Sequence, residues 1–315
     1  MMTGDDSRSI AGLKGALRYV RAYRDHVFVV KLGGEILEKP DVRSRVAAQL
    51  ALLSSLGVRI VVVHGGGPQV SALSQRLGIE PQIVAGRRIT CDRTLEVVQM
   101  AIAGQLNTTL VATLRAEGIP VVGMTGVDGG LITARKRPPV VMRDDQGQER
   151  TIDFGHVGDI VRVDPRVVTT LLDGGMVPVI GSLAGDDSGA VYNINADTLA
   201  EALATALRAQ KLIFLTGAPG VLRDVRDPST LVAFADPDDL GALLASGAIA
   251  GGMRPKVEAC IRAATSGVER THILDGRAPD GLLFEVFTGA GCGTMIVGRK
   301  EKATYLGVDL ADGNR

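Results

Sequence analysis

Tryptophan is missing from this chain, and aromatic residues make up only 3% of it. A core with so few large rings has to be filled mainly by Ala, Val, Leu and Ile, the usual material of parallel sheets buried on both faces. Charge of one sign is not in surplus either, since Lys+Arg and Asp+Glu both number 35. Nucleic acid and anionic membranes select a basic excess, so neither is expected as the main partner. No uninterrupted apolar run reaches the roughly 18–20 residues of a membrane span. The N-terminus, Met-Met-Thr-Gly-Asp-Asp, lacks the basic-then-apolar pattern of a signal peptide. The three cysteines, Cys91, Cys260 and Cys292, form neither a disulfide framework nor a CxxC site. A cytoplasmic, reducing setting is expected. His26, His64, His156 and His272 show no metal-ligand spacing. There is no G-x-x-x-x-G-K-[ST], no G-x-G-x-x-G and no G-x-S-x-G, which removes the P-loop, the Rossmann cofactor site and the nucleophile elbow.

What is present is a repeated alternation of strand and helix patterns over 315 residues, 45% of them hydrophobic. Residues 8–24 carry Ile10, Leu13, Leu17 and Val20 at helical spacing, ending near Tyr23. Apolar runs predict buried strands from Val27 to Leu32, Val58 to Val63, Ile119 to Met124, Met176 to Gly181, Lys211 to Thr216 and Thr271 to Asp275. Helices are predicted over 41–56, after Pro68, over 94–117, over 197–209 and from Pro255 to Ala264. Residues 140–153 read as a β-hairpin lying off the main sheet. The implied class is α/β: an open, mostly parallel sheet sandwiched by helices, with an N-terminal helix and a β-hairpin excursion. A terminal helix (1–26) is expected ahead of an N-terminal lobe (27–189) and a C-terminal lobe (190–315), the two lobes separated at the turn Gly185-Asp-Asp-Ser-Gly189. Ligands in such sheets sit beyond the carboxyl ends of the strands.

The chemistry-bearing residues fall at those ends. Lys31 closes the first strand and abuts Gly33 and Gly34; a strand-end lysine can snorkel to water, or sit beside a phosphate. His64-Gly65-Gly66-Gly67-Pro68 is either a tight turn or a turn whose N–H groups approach an anion. Asp197 suits a helix cap or first turn, and Asn193 and Asn195 suit turns. Lys256 has a weaker bland reading. A cation in a first helical turn opposes the helix dipole, and makes sense where an anion shares the place. Arg87-Arg88 is either a solvated pair or a bidentate carboxylate clamp.

The joint order of these motifs resembles the amino acid kinase family: Lys-x-Gly-Gly, His-Gly-Gly-Gly-Pro, Gly-x-Arg-x-Thr, Asn-x-Asn-Ala-Asp and Gly-Gly-Met-x-Pro-Lys. The similarity runs from about residue 10 to 298 and includes Val157-Gly158-Asp159, Asp275-Gly276-Arg277 and Gly293-Thr294-Met295-Ile296. It implies transfer of the γ-phosphoryl group of ATP, with Mg²⁺ carried by the nucleotide, to the side-chain carboxylate of N-acetyl-L-glutamate. By resemblance Lys31 and Lys256 lie on the transferring group and Asp197 orients both. Gly66, Gly67, Arg88 and Asn193 serve the acyl amino acid, with Arg88 on its α-carboxylate. Gly33, Gly34, Thr216, Gly217, Gly252 and Met253 serve phosphate and nucleotide, and no direct metal ligand is named. The resemblance also implies a homodimer, or a hexamer of three dimers linked by the N-terminal helix, and arginine as a possible effector. Two departures stand out. Thr216-Gly217-Ala218 lacks the acid that relatives carry after this strand, and Asp280 stands where arginine-inhibited relatives tend to have His. Two alternatives remain: a kinase for a related acyl amino acid of aminoadipate type, and a weakly active arginine-sensing module.

Overall fold

The computed structural model describes residues 15, 17–84, 86–143 and 149–298. At its centre is an eight-stranded sheet. Its spatial order is Phe234–Ala235, Thr294–Val297, Arg270–Asp275, Lys211–Thr216, Val27–Leu32, Arg59–His64, Val177–Gly181, Val121–Thr125. Neighbours pair in parallel except Arg270–Asp275 with Thr294–Val297, which is antiparallel. Helices cover both faces. Side chains alternate across a strand, and the first strand divides accordingly. Phe28, Val30 and Leu32 join the core that includes Leu50, Leu53, Leu110 and Leu114. Val29 joins the opposite core, with Leu199, Leu203 and Val257. Lys31 shares the parity of Val29. It therefore projects toward the face covered by helices Ala196–Ala206 and Met253–Thr265.

The hairpin excursion is present as Val140–Arg143 paired with Glu149–Ile152, apart from the main sheet; its turn lies outside the described residues. Several strands escape the sequence reading. A second, four-stranded sheet runs Val191–Asn193, Leu183–Gly185, Ile132–Lys136, Gly158–Val163. The segment from Gly185 to Gly189 is the turn of a hairpin within that sheet. These strands are short or half exposed, so no apolar run marks them.

Asp92–Ala116 is continuous helix, and by length and composition it could cross a membrane. It contains no uninterrupted apolar run of that length, because Glu96, Gln99, Gln105, Asn107, Thr108 and Thr109 are dispersed along it. Here its apolar side packs on the protein: Val97, Val98, Ala101, Leu110 and Leu114 are buried. Its middle, Met100–Leu106, is a π-helix. Such wide turns insert a residue and re-aim the side chains beyond them. Leu106 lies over Gly66, and Asn107 reaches into the sheet.

Of the N-terminal helix, the described part ends at Tyr23, which is buried against Phe28 (ring centroids 5.2 Å apart) and stacked by Tyr19. Ile10 and Leu13 lie outside the described residues.

Candidate active site

Two glycine turns meet at the carboxyl ends of the first two strands. Gly33 N–H donates to Leu215 O at 2.9 Å, which ties the first turn to the end of the neighbouring strand. A Cβ on Gly34 would sit 2.8 Å from Cδ of Pro68, so only glycine lets the turns pack this closely. Gln69 Nε2 donates to Gly34 O (2.9 Å) and locks the contact. Gly65 lies against Ala196, at the start of the helix that carries Asp197. Gly66 has no room for a side chain beneath Leu106, whereas Gly67 opens to free space.

That helix is capped by Asn195, whose Oδ1 accepts from the N–H groups of Asp197 (2.9 Å) and Thr198 (3.0 Å). Asp197 therefore stands in the first turn, where the dipole favours a carboxylate. It is buried and bridges two cations. Its Oδ1 lies 2.7 Å from Lys31 Nζ, and its Oδ2 lies 3.2 Å from Lys256 Nζ. Burial alone would raise the Asp197 pKa; Lys31 and Lys256 outweigh it and hold the group ionised below the usual range. Burial lowers the Lys31 pKa, Lys256 lowers it further, and Asp197 works against both. Lys256 stands in the first turn of Met253–Thr265 and also donates to Gly252 O (3.1 Å). Two ammonium groups on one carboxylate leave a surplus positive charge, a suitable seat for an anion.

Arg88 is half-buried in the short strand Arg87–Arg88. Its Nη2 donates to Ser71 Oγ (2.6 Å) and Gly67 O (3.0 Å), which ties it to the second glycine turn. Its Nη1 is buried without a partner. Burial lowers the Arg88 pKa. A buried unpaired guanidinium N–H is costly unless a ligand accepts from it, and a carboxylate fits. Asn193 Nδ2 donates to Thr90 Oγ1 at 3.3 Å. Thr216 forms a tight turn, with Oγ1 accepting from Ala218 N–H (2.9 Å). Gly217 is covered by the carboxylate of Glu35. Beside it, Arg277 binds Asp275 (2.8 Å) and the Gly217 carbonyl (2.5 Å).

His64 is fully buried just before the glycines. Its Nδ1–H donates to Gly65 O (2.9 Å), and its Nε2 accepts from Asn107 Nδ2 (3.1 Å). Burial lowers its pKa to about 4. It is neutral with both nitrogens engaged, and so shapes the turn rather than moving a proton. Sequence reasoning missed Glu35, Ser71 and Asn107, and gave Thr90 only as the last position of the Gly-x-Arg-x-Thr motif, without a role. Glu35 was legible as the acid following Lys31-Leu-Gly-Gly; Asn107 left no signal. Among the described residues, no cluster of three or more His, Cys, Asp or Glu could hold a metal.

Compared with known proteins, the chain matches a family model described as "Amino acid kinase family" over residues 26–275. It is 49% identical over 288 residues to an acetylglutamate kinase of Myxococcus xanthus, covering 91% of this chain and 94% of that one. It is 44% identical to an acetylglutamate kinase of a Synechococcus species, over 96% and 98% of the two chains. Among solved structures, the N-acetylglutamate synthase of Neisseria gonorrhoeae, complexed with coenzyme A and N-acetyl-glutamate, superposes with a TM-score of 0.77 at 28% identity. That match covers 91% of this chain and 63% of the synthase.

Proposed function

The chain belongs to the amino acid kinase family, and on that premise we propose its reaction: ATP-dependent phosphorylation of N-acetyl-L-glutamate on its γ-carboxylate. The product is N-acetylglutamyl 5-phosphate, in arginine biosynthesis. The observation that carries this reading is Asp197 bridging Lys31 and Lys256 beside two glycine turns. A γ-carboxylate, with a pKa near 4.3, is already ionised at neutral pH. It needs no general base, and a neutral, fully engaged His64 is consistent with that. The barrier lies in bringing an anionic nucleophile to an anionic phosphoryl group. One carboxylate oxygen bonds to the γ-phosphorus as the bond to the β-phosphate oxygen breaks, and ADP leaves. Charge and oriented dipoles lower that barrier.

In this reading Lys31 and Lys256 neutralise the phosphoryl oxygens, and Asp197 keeps both ammonium groups aimed. Gly34, Gly66 and Gly67 supply backbone N–H donors. Arg88 takes the α-carboxylate through its unpaired Nη1, with Asn193 alongside. Thr216, Gly217, Gly252 and Met253 line the nucleotide side. Residues 27–189 would then serve the acyl amino acid and 190–315 the nucleotide. Mg²⁺ would arrive on the phosphates and offset their charge. We further propose a cytoplasmic homodimer or trimer of dimers, with arginine as an effector. A coupled ADP-release assay tests the reading with N-acetylglutamate, glutamate, aspartate and N-acetylaminoadipate. N-acetylglutamate is expected to give the highest kcat/KM. Preference for N-acetylaminoadipate would reassign the acceptor, and no turnover with any of them would leave an arginine-sensing module.

A further inference from the structure

The mouth of the site beside the nucleotide turn holds a balanced set of charges: Lys31, Lys256 and Arg277 against Asp197, Asp275 and Glu35. Asp197 is taken by the two lysines, and Asp275 by Arg277. Glu35 is different. No hydrogen bond or ion pair reaches its carboxylate among the described residues, although Lys31 and Arg277 lie within electrostatic range. It is exposed, in the first turn after Gly33-Gly34, and its carboxylate rests on the Cα of Gly217. Any side chain at 217 would occupy the same space.

This arrangement poses an electrostatic problem. ATP brings about four negative charges to a mouth whose own charges cancel, and a free carboxylate there adds repulsion. A cation between the carboxylate and the phosphates would turn that repulsion into attraction. Mg²⁺ in nucleotide sites is held by one or two carboxylates together with substrate phosphates and retained water, rather than by a protein cage. A lone available carboxylate without a surrounding acidic cluster fits that mode.

We propose that Glu35 faces the magnesium ion carried by ATP, and that Gly217 leaves the space in which its carboxylate sits. The proposal rests on the kinase reading above and adds to it a specificity residue: Glu35 selects magnesium-bound over free nucleotide.

The test is calorimetric titration of ATP into the full-length protein, acyl acceptor omitted, once with excess Mg²⁺ and once with EDTA. In the wild type Mg²⁺ tightens binding. In Glu35→Gln the tightening by Mg²⁺ shrinks about tenfold, the usual scale for losing a group that supports a metal. In EDTA the variant binds ATP at least as well as the wild type, since a repelling charge has gone. Gly217→Ala reproduces the loss with Glu35 intact, because the new methyl displaces a flexible, exposed carboxylate without disturbing the core. Equal effects of Glu35→Gln with and without Mg²⁺, or no effect in either, overturn the proposal. A wild type that binds no ATP in either condition overturns the kinase reading with it.

Discussion

Lys256 stands where a cation is electrostatically unwelcome, in the first turn of Met253–Thr265, and is held there by Asp197 and the Gly252 carbonyl. A group kept against the dipole contributes most when negative charge builds up in front of it. Its effect should therefore fall on the transition state more than on the bound ground state. Lys256→Ala is expected to lower kcat by roughly 100- to 1000-fold, the scale for removing one oriented charge-stabilising group. Its KM values should change only by a small factor. Steady-state kinetics on the purified variant checks this, and near-wild-type turnover would remove Lys256 from the reaction. Arg88 carries the complementary prediction. Its unpaired Nη1 is free to donate to a carboxylate, while Nη2, anchored on Ser71 and Gly67, holds the guanidinium plane in position. Lysine cannot reproduce two donors in a plane, so Arg88→Lys should raise the KM for the acyl amino acid and leave that for ATP nearly unchanged. Equal shifts in both constants would return Arg88 to a purely structural role in holding Ser71 and Gly67. Both side chains could be singled out from sequence by their unusual positions beside glycines and a helix start. Glu35 is visible in the sequence only as an acid after the first glycine turn; its lack of a partner is set by the fold rather than by neighbours in the chain.

Among elements, the long strands of the main sheet were readable as apolar runs, apart from Thr294–Val297, and the helices that cover them as periodic ones, apart from Arg166–Asp173, Pro237–Ala245 and Gly281–Phe287. The strands of the second sheet were not, because half-exposed pairs such as Ile132–Lys136 with Gly158–Val163 alternate irregularly around a bulge. The strand Lys211–Thr216 shows a different limit. Its sequence predicts a buried strand, and the structure buries even its leading lysine. Lys211 Nζ donates to His272 Nε2 (3.1 Å), and His272 Nδ1–H donates to Glu285 (2.7 Å). The rings of Tyr23 and Phe28 lie 5.0 and 5.9 Å from the ammonium. Burial lowers the Lys211 pKa to about 7, and the nearby Arg270 adds to the effect. Between about pH 7 and the ordinary lysine value of 10.5, the unfolded chain holds a proton there that the folded chain has released. The unfolded state binds more protons in that window, so this group makes stability rise with pH across it. Below pH 7 the full penalty is already present and the contribution is flat. Lys211→Met removes the titration. The stability of the wild type relative to this variant is expected to grow between pH 7 and 10 by roughly 1 kcal/mol per unit, as read from urea unfolding curves. Parallel pH profiles for the two proteins would show that Lys211 stays charged in the folded strand.

At the scale of the whole molecule, the N-terminal helix joins this network to the outside of the subunit. Tyr23 is buried over Phe28 and Lys211, and Tyr19 stacks on it with ring centroids 6.0 Å apart, so the end of the helix is fixed to its own chain. Leu17, earlier in the helix, is already 43% exposed. Leu17 continues the apolar spacing of Ile10 and Leu13, and an amphipathic stripe of this kind is unstable in water unless something covers it. A second copy of the same helix can do so. If the main dimer contact lies elsewhere, a two-fold contact between these helices joins dimers into a closed ring. Deleting residues 1–22 removes the stripe and keeps Tyr23 in place over Lys211. The truncated protein is therefore expected to fold, to keep most of its kinase activity and to sediment as a dimer, while the full chain forms the larger assembly. Light scattering on the two proteins decides it. An unchanged mass would mean that the helix links nothing. Loss of folding would mean that residues before Tyr23 are needed to hold the first strand and its lysine in place within one subunit.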